Sequence, residues 1–278
     1  NSTIDWDSFS LETPEVMVRT GGKSLREHQK RALDAVTAGL STADRGKLIM
    51  ACGTGKTFTS LRIAEAMAGS GGRVLFLVPS IALLSQTLME WSAESEVPLR
   101  SFAVCSDTKV GKGRKRTSLS EDISVVDLAI PATTDGATLA NRLTRRPAPV
   151  NGTAPMTVVL STYQSIDAVA QAQKLGAPGF DLVICDEAHR TTGATALGTD
   201  ESAFVRAHNN DYIHVSKRLY MTATPRIYDD STKARAGQRN AILASMDDVE
   251  TYGEELFRLG SRIRDRLCSL THRTELKT

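Results

Sequence analysis

Short apolar runs alternate with amphipathic segments along most of the chain. Five runs are too short for helices and show no strict alternation of apolar and polar positions, which is typical of strands covered on both faces in a parallel sheet. They cover residues 48–50, 74–78, 158–160, 182–185 and 219–221. Strands that alternate with helices predict an α/β domain, with a mainly parallel sheet and helices on both faces.

The segments between these runs place apolar residues at helical spacing. They cover residues 25–40, 57–67 and 164–175. A further helix is predicted after Ser80, whose side chain is suited to cap a first helical turn. Residues 106–155 interrupt the alternation of strands and helices. Their pattern predicts an insertion at the sheet edge, with a helix over 135–145. The pattern over 246–259 predicts an acidic amphipathic helix.

The pattern divides the chain into three parts. Residues 1–24 form an N-terminal extension, residues 25–230 form the main α/β domain, and residues 231–278 form a C-terminal tail. Because the chain starts at Asn1 rather than at Met, we expect it to be a fragment or a processed form.

The composition is that of an ordinary globular protein. Hydrophobic residues make up 41% and charged residues 24%. No apolar run approaches the ~18 residues of a membrane span, and residues 1–20 lack the apolar block of a secretory signal. The four cysteines are far apart and form no C-x-x-C pair, which argues against zinc and against a disulfide framework. We therefore expect a cytoplasmic protein with no membrane partner.

Positive and negative charges nearly balance, with 34 basic and 32 acidic side chains. Any surface that binds a polyanion must therefore be a local patch. The basic run over 109–116 is a candidate clamp for phosphates. A solvated loop is the favoured interpretation of that run.

Polar or glycine-rich clusters follow the predicted strands. In an open parallel sheet, ligands bind beyond the carboxyl ends of the strands, so we expect these clusters to converge on one edge. The first cluster, over 51–57, reads ACGTGKT. Backbone amides of Gly53, Thr54 and Gly55 can cradle phosphates, Lys56 can reach the β- and γ-phosphates, and the Thr57 hydroxyl can bind Mg²⁺. This pattern predicts a site for ATP and Mg²⁺.

The second cluster is DEAH, and it follows a predicted buried strand directly. A carboxylate at a buried strand end is costly unless it meets a cation, so Asp186 is expected to bind Mg²⁺. Glu187 is expected to orient and deprotonate the attacking water. The cluster TATP follows the last of the five strands, and hydroxyls of Thr222 and Thr224 can contact His189 and sense the γ-phosphate. A plain turn is the alternative for TATP.

The ordered set ACGTGKT, LVPSIALLSQ, STYQS, DEAH and TATP resembles the first RecA-like domain of superfamily 2 helicases and translocases, over about residues 25–260. The resemblance implies a RecA-like fold, ATP hydrolysis that depends on nucleic acid, and a second RecA-like domain that completes the active site. Together with LVPSIALLSQ, the segments TATPRIY and ETYGEELFRLG most resemble helicase parts of single-chain type I restriction enzymes. We therefore expect sequence-independent contacts to duplex DNA and a role in DNA translocation.

Further residue roles follow only from this resemblance. Gln29 is expected to hydrogen-bond the adenine edge, with an exposed helix-face glutamine as the alternative. Five residues are expected to face the backbone of the nucleic acid without reading its sequence. They are Pro79, Ser80, Thr162, Tyr163 and Gln164. For Tyr163, a core aromatic ring with a satisfied hydroxyl is the alternative.

Three other interpretations remain open. An RNA helicase would be stimulated by RNA rather than by duplex DNA. A non-catalytic module would bind nucleotide and DNA without turnover, although the intact Lys56, Asp186 and Glu187 argue against degeneration. A P-loop kinase would leave STYQS and TATP without a role. For this chain alone we expect weak or no hydrolysis, because an arginine from the second domain can contribute ~10³–10⁵ in rate.

Overall fold

The computed structural model describes residues 16–17, 23–106, 130–196, 203–238 and 241–260. The basic run over 109–116 and residues 261–278 lie outside the described residues, as does most of the predicted N-terminal extension.

A nine-stranded sheet forms the centre of the described structure. Its strands are β1 (Val16–Met17), β2 (Arg45–Met50), β3 (Arg73–Val78), β4 (Leu99–Val104), β5 (Ala132–Thr133), β6 (Met156–Thr162), β7 (Phe180–Cys185), β9 (Val215–Thr222) and β11 (Glu254–Leu259). The order is β1-β4-β6-β3-β7-β9-β2-β11, with β5 beside β4. Every pairing except that of β1 with β4 is parallel. A separate antiparallel ribbon joins β8 (Gly193–Ala196) to β10 (Ala241–Ala244).

Helices connect the strands of the sheet. They are α1 (Glu27–Thr42), α2 (Lys56–Met67), α3 (Ile81–Glu94), α4 (Gly136–Thr144), α5 (Ile166–Lys174), α6 (Ala203–Arg206), α7 (Asp230–Gln238) and α8 (Val249–Tyr252), with 3₁₀ turns at Tyr163–Ser165 and Ala188–Thr191. The Ser80 hydroxyl caps α3 by accepting a hydrogen bond from the Leu83 amide (3.4 Å), as predicted. None of the helices in the described residues has the length and apolar character of a transmembrane span.

The sheet is covered on both faces, which explains why its central strands appear in the sequence as unbroken apolar runs. In β3, the side chains of Val74, Phe76 and Val78 point into one core cluster. Those of Leu75 and Leu77 point into the other. Successive side chains of a strand face opposite sides of the sheet, so continuous apolarity means that neither face meets water. The predicted α/β architecture is confirmed.

Two strands depart from the predictions. The amphipathic helix expected over 246–259 is wrong: after the single turn α8, Gly253 adopts a φ of 72° and the chain continues as β11, parallel to β2. Strand β4 was not predicted, because Arg100 and Ser101 interrupt its apolar run. The Arg100 guanidinium is nonetheless buried and donates hydrogen bonds to the carbonyl oxygens of Arg142 and Arg145 at the end of α4 (2.7 and 2.8 Å).

Candidate active site

The five polar clusters meet at one edge of the sheet. Strands β2, β3, β6, β7 and β9 are all parallel, so their carboxyl ends point the same way. The strand order places β9 between β2 and β7. The glycine-rich loop after β2 and Asp186 after β7 therefore lie on either side of Thr222, the last residue of β9.

Two glycines shape the loop between β2 and α2. Gly53 and Gly55 have φ angles of 75° and 81°, in the left-handed region that side chains rarely adopt. A Cβ atom at Gly55 would also lie 2.3 Å from the Gln29 amide nitrogen. The loop is anchored by Thr54, whose hydroxyl donates to the Ala51 carbonyl (2.7 Å). Helix α2 then begins at Lys56, which leaves backbone amides of its first turn available to an anion.

Gln29 lies beneath this loop rather than on an exposed helix face. It is buried, its Nε2 donates to the carbonyl oxygens of Thr54 (3.3 Å) and Gly55 (3.4 Å), and its Oε1 accepts from the Arg26 amide (2.9 Å). His28, which the sequence analysis did not single out, approaches the same Thr54 carbonyl through Nε2 (3.0 Å). Gln29 also borders a cleft of about 210 Å³ beside the loop, so it stays a candidate for contact with the adenine ring.

Asp186 is the buried acid of the site. Burial raises its pKa to about 6, helped by the neighbouring charge of Glu187, whereas the positive charge of Lys56 lowers that pKa. Lys56 follows β2 and Asp186 follows β7, so the two residues lie at the same edge of the sheet, on either side of β9. The Asp186 Oδ1 atom is buried without a hydrogen-bond partner. An unsatisfied buried carboxylate oxygen is costly, so this donor atom fits a hard cation such as Mg²⁺.

Glu187 and His189 connect the DEAH cluster to the last residue of β9. Glu187 has a φ of 49°, a conformation that costs a residue with a side chain about 1–3 kcal/mol and that is concentrated at functional sites. His189 Nδ1 lies 3.0 Å from the Thr222 hydroxyl and 3.3 Å from Glu187 Oε2. The Thr224 amide donates to the same Thr222 hydroxyl (3.2 Å). A hydrogen-bonded path therefore joins the DEAH and TATP clusters.

The family model for the type III restriction enzyme res subunit (ResIII) matches residues 22–227. The chain belongs to the ResIII family. Among its relatives, the probable helicase A859L of African swine fever virus (strain Badajoz 1971 Vero-adapted) is 32% identical over 208 residues, which cover 73% of this chain and 20% of the viral protein.

Two solved structures support a narrower placement of this ResIII member. The ATP-dependent type ISP restriction–modification enzyme LlaBIII, bound to DNA, is 43% identical with a TM-score of 0.71, over 95% of this chain and 17% of that one. A nuclease-deletion mutant of the type ISP enzyme LlaGI, in complex with a DNA substrate mimic, is 39% identical with a TM-score of 0.66, over 88% of this chain and 20% of that one. The resemblance to superfamily 2 helicases and type ISP enzymes is confirmed. The chain spans about a fifth of the length of these relatives.

The residues predicted to face nucleic acid differ in exposure in this ResIII member. Ser80 and Gln164 are exposed at the carboxyl ends of β3 and β6, whereas the side chains of Pro79 and Thr162 are buried. Tyr163 does not face a strand of nucleic acid. Its ring is fully buried and its hydroxyl donates to the Asp186 carbonyl (2.9 Å). The prediction for Tyr163 is wrong because the 3₁₀ turn Tyr163–Ser165 directs its ring into the core.

A polar cluster behind the DEAH segment, in which Thr191, Tyr220 and Tyr252 are buried and His208 is partly buried, was missed by the sequence analysis. The Thr191 hydroxyl donates to the Ala188 carbonyl (2.7 Å), so it must accept the hydrogen bond from the Tyr252 hydroxyl (3.0 Å). His208 Nε2 donates to the Thr191 carbonyl (3.4 Å), which leaves Nδ1 to accept from Tyr220 (2.9 Å). Burial lowers the pKa of His208 to about 4, in keeping with a neutral ring. No periodic pattern could reveal this cluster, because its members come from separate elements.

Proposed function

We propose that this chain is the ATP-binding motor domain of an enzyme that translocates on DNA, within a restriction–modification system. One observation carries the proposal: Lys56, in the glycine loop after β2, and the buried Asp186, after β7, are far apart in sequence yet lie at the same edge of the sheet. A lysine and a carboxylate at the carboxyl edge of a parallel sheet suit a bound triphosphate and its cation.

We assign the hydrolysis roles as follows. Amides of Gly53 to Gly55 bind the phosphates, and Lys56 neutralises charge on the γ-phosphate. Thr57 and Asp186 would hold Mg²⁺, which when bound neutralises phosphate oxygens. Glu187 accepts a proton from water as the water oxygen bonds to the γ-phosphorus and the bond to the leaving ADP breaks. His189 links Glu187 to Thr222, through which we propose that Thr222 and Thr224 sense the γ-phosphate.

The proposed DNA surface lies at the ends of β3 and β6. Ser80 and Gln164 offer exposed polar side chains there, and backbone groups at Pro79 and Thr162 complete a surface that positions phosphates without reading bases. LlaBIII and LlaGI were both solved with DNA or a DNA mimic, which supports DNA as the partner. We propose that a second RecA-like domain completes the site and that residues 25–230, together with β11 of the same sheet, form the motor domain. We also propose that the enzyme acts in the cytoplasm, where its DNA would lie.

The variant Lys56→Ala tests the site in the full-length protein. Loss of the charge that meets the γ-phosphate should lower kcat/KM for ATP by at least ~10²-fold, the usual effect of removing one charge-stabilising group. The matched control is Lys174→Ala. Lys174 is an exposed lysine at the end of α5, and its removal should leave ATP hydrolysis at the wild-type rate. Wild-type hydrolysis by Lys56→Ala would refute the site assignment.

Two alternatives are distinguished by measurements of ATP hydrolysis and ATP binding on the full-length protein. An RNA helicase would be stimulated by RNA more than by duplex DNA. A module without turnover would bind ATP, detectable by calorimetry, but release no phosphate under any condition.

A further inference from the structure

Tyr163 connects the proposed DNA surface to the proposed site of ATP hydrolysis. It lies between Thr162 and Gln164, at the end of β6 and next to the proposed DNA surface. Its hydroxyl donates to the main-chain carbonyl of Asp186, 2.9 Å away at the end of β7. Because β3 lies between β6 and β7, this side chain spans the width of one strand to make the contact.

The Asp186 main chain is held from two directions. Its amide donates to the Leu77 carbonyl in β3 (2.9 Å), and its carbonyl accepts from Tyr163. The peptide unit fixed by Tyr163 also bears the amide of Glu187, whose φ of 49° is strained. Strained conformations persist only where the surroundings enforce them. The Tyr163 hydroxyl is one such constraint on the two acidic residues of the site.

Complete burial excludes a direct role for Tyr163 in binding. The ring is 0% exposed, so it touches neither the nucleic acid nor the nucleotide. The neighbouring Gln164 is exposed, which means that the 3₁₀ turn Tyr163–Ser165 directs Tyr163 inward to Asp186 and the following side chain outward.

We propose that Tyr163 is a positioning residue that couples occupancy of the DNA surface to the placement of Asp186 and Glu187. This inference rests on the proposed function. DNA held at Gln164 and Thr162 fixes the turn, the turn fixes the Tyr163 ring, and the hydroxyl fixes the Asp186 carbonyl. The turn is thus the physical link through which DNA accelerates hydrolysis.

The test is Tyr163→Phe in the full-length protein, with ATP hydrolysis measured at increasing duplex DNA. Phenylalanine keeps the buried ring and removes the hydroxyl, which bonds to the Asp186 carbonyl and also contacts the Cys185 side chain. The stimulation by saturating DNA should fall about fivefold, the equivalent of one buried neutral hydrogen bond. The KM for ATP and the Kd for DNA should stay within about twofold of wild type, because Tyr163 contacts neither ligand. A raised Kd for DNA with unchanged stimulation would overturn the proposal in favour of a binding role.

Tyr220→Phe is the matched control. Tyr220 is equally buried, and its hydroxyl bonds to His208 rather than to Asp186. This variant also removes a hydrogen-bonded hydroxyl from a buried tyrosine, so it should lose thermal stability as well, yet keep wild-type stimulation. Equal loss of stimulation in both variants would show a general structural effect and overturn the coupling role.

Two further outcomes are decisive. If wild type hydrolyses ATP without any stimulation by DNA, the proposed function fails and the coupling fails with it. If wild type is stimulated and Tyr163→Phe is stimulated equally, only the coupling fails. Should Tyr163→Phe unfold at the assay temperature, 3-fluorotyrosine at position 163 gives a second measurement. Its ¹⁹F resonance should shift when either DNA or ATP binds, and a resonance that shifts with neither ligand would overturn the proposal.

Discussion

Asp186 combines properties that oppose folding and serve chemistry. Its carboxylate is buried, has an unpartnered oxygen and stands next to another acid, while Glu187 adopts a strained backbone conformation. Each of these features is unfavourable in a ligand-free protein. Their occurrence at two successive residues supports a site built for a cation and a reacting water.

At the residue scale, we predict a pH effect that depends on His208. Its folded pKa is about 4, against an ordinary value of 6.5. Because the unfolded chain binds the proton more readily, the stability that the neutral ring contributes is present above pH 6.5 and is lost as the pH falls toward 4. This difference corresponds to about 3 kcal/mol. Urea unfolding at pH 7.5 and pH 4.5 should show a smaller acid destabilisation for His208→Gln than for wild type.

His214→Gln is the control for this effect, because His214 is exposed and its replacement should leave the pH dependence unchanged. A wild-type pH dependence in His208→Gln would contradict the assignment of the acid-sensitive group.

At the element scale, β11 supports the phosphate loop. It pairs with β2 along its length, and the Leu259 carbonyl at its end accepts from the Ala51 amide at the start of the loop (3.1 Å). Leu256 fills the space left by the missing side chains of Gly39 and Gly46, where a Cβ atom would lie 2.4 and 2.5 Å from it. A strand placed after TATP in the sequence thus fixes a loop that precedes it by some two hundred positions.

Gly253→Ala should disrupt this strand. Gly253 has a φ of 72°, and a Cβ atom there would lie 2.2 Å from the Arg45 carbonyl oxygen. The backbone of β2 must shift to relieve this contact, so the variant should lose about 1–3 kcal/mol more than a glycine variant with strain alone. Chemical unfolding provides the measurement.

Gly152→Ala supplies that comparison, because Gly152 has a φ of 79° with no atom near its Cβ position. Equal destabilisation of the two variants would mean that the close approach of Arg45 to Gly253 contributes nothing.

At the scale of the whole molecule, the candidate site occupies a single edge of one sheet. The chain spans only about a fifth of the length of its relatives, and we propose that a second RecA-like domain faces this edge. We predict that residues 23–260 alone hydrolyse ATP at least ~10³-fold more slowly than the full-length protein, since a missing arginine finger costs ~10³–10⁵. Phosphate release at saturating ATP measures this ratio. Comparable rates would show that one domain suffices.

The sequence by itself determined the fold class and the position of the polar clusters at the strand ends. Continuous apolar runs revealed strands covered on both faces, and GTGKT predicted a loop with two glycine bends before a helix start. These signals are local, because side-chain periodicity and turn chemistry depend on neighbours in the chain.

Only the tertiary structure decided what depends on distant partners. The end of the 246–259 segment forms strand β11 because β2 offers an edge with which it can pair. Strand β4 can contain Arg100 because α4 supplies carbonyl oxygens that accept hydrogen bonds from its guanidinium. Tyr163 turned inward because the Asp186 carbonyl lies within reach of its hydroxyl. Pairing and burial depend on groups brought together by the fold, which no pattern of neighbouring residues encodes.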